Sequence, residues 1–410
     1  MNKVVPVDSP AWMLPEVRRS PAPFRMFVKL ASSNWAVGGF DIVMPEGRRI
    51  AIRGRDDGPV GVLQVRDYRF VGRVMAGGDI GFAEGYMAGE WDTPDLSALL
   101  TVLSLNYDRI VRLVRGNAVV RAFNRLVHRM RRNSRAGSRR NIHAHYDLGN
   151  QFYEKWLDRT MTYSSARHEA PGQDLAAAQR NKYRTLAQSM GLQRGQHVLE
   201  IGCGWGGFAE FAAREVGARV TGITISQEQY DYARKRLFRE GLSDQTDIRM
   251  VDYRDVDGTY DRVASIEMFE AVGQEYWPAY FGKIHSVLEP GGRAGLQIIT
   301  IQDEQFESYR SRTDFIQKYI FPGGVLPSEA ALRPVIRAAG LEWDGISRFG
   351  QAYADTLAEW GDRFQSAWKE IRPLGFDERF RKLWAFYLSY CEAGFRTGRT
   401  DVVQLALCRT

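Results

Sequence analysis

The sequence predicts an α/β protein, a doubly wound sheet with a helical lid insertion, preceded by a smaller α+β unit. Three observations carry that expectation. Past Leu192, short apolar runs of strand character alternate with segments of helical period. One of those runs, VLEIG (198–202), opens directly into a glycine-rich turn and then a helix pattern. Ahead of it, residues 36–75 show period-two alternation broken by turn residues, the mark of short strands.

In the first unit GFDIVMPEGRRIAIRG (39–54) alternates around Pro45, Glu46 and Gly47, and GVLQVRDYRFVGRVM (61–75) continues in the same strand-like manner. From Asp95 to about Arg140 the period is helical, with Leu99, Leu100, Val102 and Leu103 answered by Ile110, Val111, Leu113 and Val114. Residues 121–140 hold eight arginines and no acid, and Gly137-Ser138 reads as a linker. The boundary is therefore placed at residue 140, giving units 1–140 and 141–410. In the second unit VLEIG is a buried strand and FAEFAAREVG a helix closed by Gly217. VTGITIS, a helix from Gln227 to Arg239, DIRMV, YDRVASIEM, a helix around Tyr276–Leu288 and GRAGLQIITI continue the alternation. LEWDGISRFG and DVVQLALCR supply the final strands, and the aromatic-rich helices of residues 355–395 between them form the lid.

Composition bounds the function. The 410 residues are 44% hydrophobic with 15 prolines, which is globular rather than disordered, and the length suits two domains. A net charge of +7 favours an anionic partner, whether nucleic acid, acidic lipid or acidic protein. Cys203, Cys391 and Cys408 are too scattered for a disulfide framework or a metal site, so no metal is expected and a cytoplasmic location is the default. The first 20 residues lack the apolar core of a signal peptide, and no run reaches the roughly 18 to 20 apolar residues that a bilayer span needs. A membrane would be met from its surface.

The sharpest local motif is VLEIGCGWGG (198–207). Its glycines let the backbone turn tightly and a ligand approach, and the helix start offers N–H groups to an anion. Gly202, Gly204 and Gly206 depart from G-x-G-x-x-G, although Gly207 restores a formal match, so the loop alone leaves nucleotide classes undecided. Glu200 favours an E-x-G-x-G methyltransferase loop, because a pyrophosphate would face that carboxylate's repulsion.

Seven motifs in order resemble the cyclopropane-fatty-acyl-phospholipid synthases and their mycolic-acid relatives. They are HYDLGNQFYEKWLDRTMTYSSA (145–166), VLEIGCGWGG, VTGITIS with Gln227 and Gln229, DYRD (252–255), EMFEAVG (267–273), FIQKYIFPGGVLPS (315–328) and RFGQAYADTLAEW (348–360). The resemblance runs from about His143 to the C-terminus and implies a Rossmann-like class I methyltransferase sheet with S-adenosylmethionine as cofactor. It implies that Tyr163 and Ser164, with Glu200, Gly202 and Gly204, hold the methionine end, that Thr224 and Gln229 touch the cofactor after the second strand, and that Asp252 and Tyr253 lie on the adenine side. Without the motifs, Tyr163 would read as a core aromatic and Thr224 as a structural strand residue.

The implied reaction is attack of a cis alkene on the sulfonium methyl, leaving a carbocation that must be kept dry, faced by aromatics and relieved by a base. Of Phe269, Trp277, Tyr280, Tyr319, Phe321, Tyr353 and Trp360, two or three are expected to face it. In typical members the base is a bicarbonate held by a cysteine, a glutamate, a histidine, a backbone position and a tyrosine. Glu270, Ile299 and Tyr353 keep three of those positions, whereas Ser165 and Gln297 replace the cysteine and the histidine, which puts bicarbonate in doubt. Either Ser165 and Gln297 preserve the anion site, or a protein carboxylate takes the proton, with Glu270, Glu267 and Glu169 as candidates. Glu267 stands where relatives carry a small residue. The replacements favour a methylene-branched product, reducible to a methyl branch by a reductase partner, over a cyclopropane ring.

The expected substrate is an unsaturated phospholipid acyl chain, with the arginine run drawn to an anionic membrane surface from the cytoplasmic side. Homo-oligomerisation is left open. No nucleic acid is expected, because no recognition motif with interleaved aromatics is present. The alternatives are a small-molecule methyltransferase, opposed by FIQKYIFPGGVLPS and YADTLAEW, and a non-catalytic lipid-binding protein, opposed by the intact cofactor loop. The N-terminal unit is expected to dock membrane or partner, so that its removal spares cofactor binding.

Overall fold

The computed structural model describes residues 13–114 and 148–410. The arginine run 121–140 lies outside them. A seven-stranded sheet forms the second unit from β5 (His197–Ile201), β6 (Arg219–Thr224), β7 (Thr246–Met250), β8 (Tyr260–Ile266), β9 (Leu288–Ile301), β10 (Leu341–Arg348) and β11 (Thr400–Arg409). Their order is β10-β11-β9-β8-β5-β6-β7, parallel from β7 through β9, with β11 antiparallel to both β9 and β10. The chain reverses its winding at β5, so the crevice opens at the carboxyl ends of β5, β6 and β8, where such sheets bind ligands. One face packs on Phe269, Phe281 and Leu332, the other on Leu186, Phe208 and Leu237. This is the doubly wound sheet that the alternation after Leu192 predicts.

The first unit is a four-stranded sheet, β2-β1-β3-β4, made by β1 (Val37–Val43), β2 (Arg49–Arg53), β3 (Asp56–Val65) and β4 (Trp91–Asp92). Two expectations fail here. The strand-like pattern does not continue to Met75: residues Arg69–Gly77 are a helix, begun where Asp67 Oδ1 accepts the Arg69 N–H at 2.8 Å, and Phe70, Val71 and Val74 form its buried face. That i, i+1, i+4 spacing serves a helix, and the alternation beside it is incidental. The long helix from Asp95 breaks instead into Leu96–Leu105 and Tyr107–Val114. Buried Asn106 makes the break: its Oδ1 accepts from the Ala36 and Val37 N–H groups at 2.8 and 3.1 Å, and its Nδ2 donates to the Val37 and Val102 carbonyls, both at 2.9 Å. A side chain satisfying the start of β1 cannot also sit on a continuous helix face.

The two units are not separate bodies of core. One hydrophobic cluster runs from Phe24, Phe40 and Trp91 of the first unit through Phe152 and Trp156 to Trp360, Trp384 and Phe386 of the lid helices Gly350–Ser366 and Glu378–Arg396. Polar clasps close the seam, with Lys318 Nζ and Tyr319 Oη both donating to Glu84 Oε1 at 2.8 and 2.6 Å. The N-terminal unit thus shares the lid's packing. Among the described residues no helix is long and apolar enough to cross a membrane.

Candidate active site

β5 ends in a turn that its neighbours pin: the Gly202 and Cys203 N–H groups donate to the Ile223 carbonyl at 3.0 and 2.9 Å. Gly202 has φ of +82°, and a Cβ there would meet Met268 Cγ at 2.8 Å. Gly204 has φ of +52° but nothing within 4 Å of its Cβ position, so it borders open space. That space is a cavity of about 710 Å³, and Tyr163, Ser164, Glu200, Gly202, Gly204, Thr224, Gln229, Asp252 and Tyr253 all line it.

The structure gives each of these a setting. Glu200 is buried; Ala209 N–H steadies its carboxylate, burial raises its proton affinity well above the ordinary range, and its Oε2 has no hydrogen-bond partner. A buried acceptor beside open space fits the ammonium of an amino acid. Thr224 Oγ1 donates to Gln229 Oε1 at 2.9 Å, and Ser226 caps the helix Gln227–Arg239 that presents Gln229. Asp252 is clamped by Arg254 Nε and Nη2 at 2.8 and 2.6 Å, which fixes the loop after β7. Tyr163 Oη pairs with Tyr387 Oη at 2.7 Å. Ser164 Oγ accepts from Lys182 Nζ at 2.7 Å. Open space at Gly204, the unpartnered Glu200 oxygen and the polar loops after β6 and β7 together fit S-adenosylmethionine.

The remaining candidates gather around one side chain. Glu267 follows β8 with φ of +50°, a left-handed conformation unusual for a residue with a side chain and costing on the order of 1 to 3 kcal/mol. Its Oε1 accepts from Ser165 N–H and Gln297 Nε2, both at 2.8 Å, and its Oε2 from Tyr353 Oη at 2.7 Å. Ser165 and Gln297 are buried behind it, while Glu267, Glu270 and Tyr353 face the cavity. Gln297 is held in turn, its Oε1 accepting from Gln404 Nε2 at 3.1 Å and Gln404 Oε1 from Thr185 Oγ1 at 2.9 Å. Burial pushes the Glu267 carboxyl up, with Lys182 and the three donors opposing.

Glu270 differs from its neighbour. Its Oε1 accepts from Ile299 N–H at 2.5 Å, its Oε2 is unpartnered, and burial, then the charge of Glu267, pushes its pKa up to about 8. The two carboxyl groups share one cavity with unequal surroundings, three donors at Glu267 against one at Glu270. Glu169 is corrected: it is exposed, 4.0 Å from Arg184, and lies off the cavity wall, because its segment turns out to solvent before the helix Leu175–Ser189. Of the seven aromatics considered, only Phe321 and Tyr353 line the cavity; Phe269, Trp277, Tyr280 and Trp360 are core packing, and Tyr319 bonds to Glu84.

Sequence reasoning missed Lys182, Arg254, Gln404 and Thr185. Lys182 is fully buried, and desolvation lowers its pKa to about 7 against the pull of Glu267, Asp158 and Glu200. Its signal was available: with Leu175, Ala178 and Leu186 it falls on the buried stripe of one helix.

Comparison with known proteins agrees with this geometry. The family model of mycolic acid cyclopropane synthetase matches residues 133–405. The tuberculostearic acid methyltransferase UfaA1 of Mycobacterium tuberculosis is 41% identical over 356 residues, 82% of this chain and 80% of its own. The cyclopropane-fatty-acyl-phospholipid synthase of Escherichia coli K12 is 31% identical over 389 residues, 93% of this chain and 95% of its own. Among solved structures, the mycolic acid cyclopropane synthase CmaA1 complexed with SAH and CTAB superposes with a TM-score of 0.62 at 29% identity, over 66% of this chain and 98% of that one. With the sheet, the glycine turn and the buried carboxylates in place, the chain belongs to the mycolic acid cyclopropane synthetase family of S-adenosylmethionine-dependent enzymes.

Proposed function

We propose that this enzyme methylates the cis double bond of an unsaturated acyl chain in a membrane phospholipid, with Glu267 as the base and a methylene-branched chain as product. The observation that carries the reading is the seat of the Glu267 carboxylate. The donors of Ser165, Gln297 and Tyr353, positions at which the family resemblance would place a bicarbonate, are already taken by it. The base is built into the chain.

S-adenosylmethionine supplies the electrophilic methyl group. With the cofactor held by Glu200 and the glycine turn, transfer of that methyl to one alkene carbon, with loss of its bond to sulfur, would leave the neighbouring carbon cationic. Apolar walls exclude water, and Phe321 and Tyr353 offer ring faces to the charge. A carboxylate already held by three donors is a restrained base, so a hydride shifts from the methylated carbon before a proton is lost. Glu267 then takes a proton from the added methyl, and the exocyclic double bond forms. A reductase would add hydride and a proton to give the methyl branch.

A second reading, ring closure to a cyclopropane, is favoured by the overlap with the Escherichia coli synthase along nearly its whole length. Incubation with S-adenosylmethionine and monounsaturated phospholipid, followed by gas chromatography and mass spectrometry of the released acids, separates the two. A methylene-branched acid is expected; a cyclopropane acid as sole product would reject the branching reading. The cytoplasmic face of an anionic membrane is the proposed working surface. Vesicle binding that ignores anionic lipid content would remove it.

A further inference from the structure

The cavity does not end at the carboxylates. It passes Phe321 and Ile316, crosses the seam between the units and continues inside the N-terminal unit, where Phe27, Ala31, Trp35, Phe40, Leu100 and Leu103 line it. These come from the helix Ala22–Asn34 and the residue that ends it, Trp35, from β1 and from the helix Leu96–Leu105, and all are apolar. The family model begins at residue 133, so this chamber is built by a part of the chain that the model does not include.

At the seam itself the wall is charged. Arg312 and Arg399 place their guanidinium carbons 5.3 and 4.5 Å from the centre of one ring, that of Tyr107. Arg399 reaches Asp108 at 3.4 Å, whereas Arg312 forms no ion pair with a described residue. Asp79 and Asp314 are also on this wall, and burial raises the proton affinity of both against the pull of Arg312, which weakens their opposition to an anion. Two guanidinium groups beside one ring in a partly enclosed site can each offer paired N–H donors to a phosphate.

The cavity therefore joins buried carboxyl groups and apolar walls at the catalytic end to a charged seam and an apolar chamber beyond it. We propose that it holds a diacyl glycerophospholipid splayed across the seam: phosphate at Arg312 and Arg399, reactive chain towards Glu267, and the second, unreactive chain in the N-terminal chamber. The proposal rests on the phospholipid reading above and specifies it. A fatty acid or single-chain thioester has one tail and would leave the chamber unfilled, and an apolar void of this kind gains nothing from water.

The test uses the full-length enzyme, detergent-dispersed lipids and three substrates: a diacyl phospholipid with one oleoyl chain, the matching oleoyl lysophospholipid, and uncharged methyl oleate. Leu103→Trp narrows the chamber and is expected to lower kcat/KM for the diacyl lipid about tenfold while leaving the lysophospholipid within about twofold. Arg312→Gln combined with Arg399→Gln is expected to raise KM about tenfold for both phospholipids and to leave methyl oleate unaffected. Unchanged circular dichroism and cofactor heat by calorimetry show that each variant is folded. Equal losses on diacyl and single-chain lipids, or no loss on either, would overturn the splayed arrangement. Wild-type enzyme that turns over methyl oleate but neither phospholipid would reject the phospholipid reading itself, and the proposal with it.

Discussion

Among the residues, the division of labour between Glu267 and Glu270 decides the chemistry. Glu267→Gln keeps size but cannot accept the proton, so turnover is expected to fall by roughly 10² to 10⁴ while cofactor binding by calorimetry stays within about twofold. Turnover close to wild type would transfer the role of base to another group. Glu270 makes a different prediction, on stability. Its folded pKa of about 8 lies above the ordinary carboxyl value of 4.5, so between these limits the folded state holds a proton that the unfolded state has released. Stability is lost as pH rises through that window, and the full penalty stands above about pH 8. Glu270→Gln mimics the protonated form, so its gain in Tm over wild type is expected to be larger at pH 8.5 than at pH 5; a constant offset in scanning calorimetry would contradict the assignment. The departures at Ser165 and Gln297 were legible in the sequence as single-letter changes inside known motifs. That they hold Glu267 was not, because the contact depends on one left-handed residue after β8 and on a pairing 102 residues apart in the chain.

At the scale of elements, periodicity located the strands of the large sheet and three of the helices against it, since strands buried on both faces leave apolar runs, but it passed over the helices Leu175–Ser189 and Glu329–Ala338. It failed where a polar side chain sets the boundary. Asp67 starts a helix inside an alternating run, and Asn106 ends one inside a helical run. Asn106 carries a further prediction. Replacing it by Leu leaves the N–H groups of Ala36 and Val37 and the Val37 carbonyl without their side-chain partner at the start of β1, and buried unsatisfied groups cost about 1 to 3 kcal/mol each. Asn106→Leu is therefore expected to lower the unfolding free energy by about 3 kcal/mol or more in urea titration. A change below about 0.5 kcal/mol would mean that β1 finds other partners.

For the whole molecule, one hydrophobic core runs across the boundary that composition suggested. An arginine-rich stretch and a glycine-serine pair look like a linker, and a linker ordinarily joins units that fold apart. The long-range packing that spans this boundary is invisible to any local pattern: Phe315 meets Phe386 with ring centroids 4.8 Å apart, and Phe386 in turn lies against Tyr86 and Trp91 of the N-terminal unit at 6.0 and 6.5 Å. Deleting residues 1–140 would uncover that face of the lid helix Glu378–Arg396, and apolar surface left in water costs roughly 25 cal/mol per Å². The same helix carries Tyr387, the partner of Tyr163 on the cofactor side, so loosening it reaches the cofactor pocket. The full-length protein is expected to unfold in one calorimetric transition, and the truncated chain to bind a dye for exposed apolar surface and to lose cofactor affinity about tenfold or more. Two separate transitions in the intact protein, or a truncated chain that binds the cofactor with wild-type heat, would restore the independent domain that the sequence alone suggests.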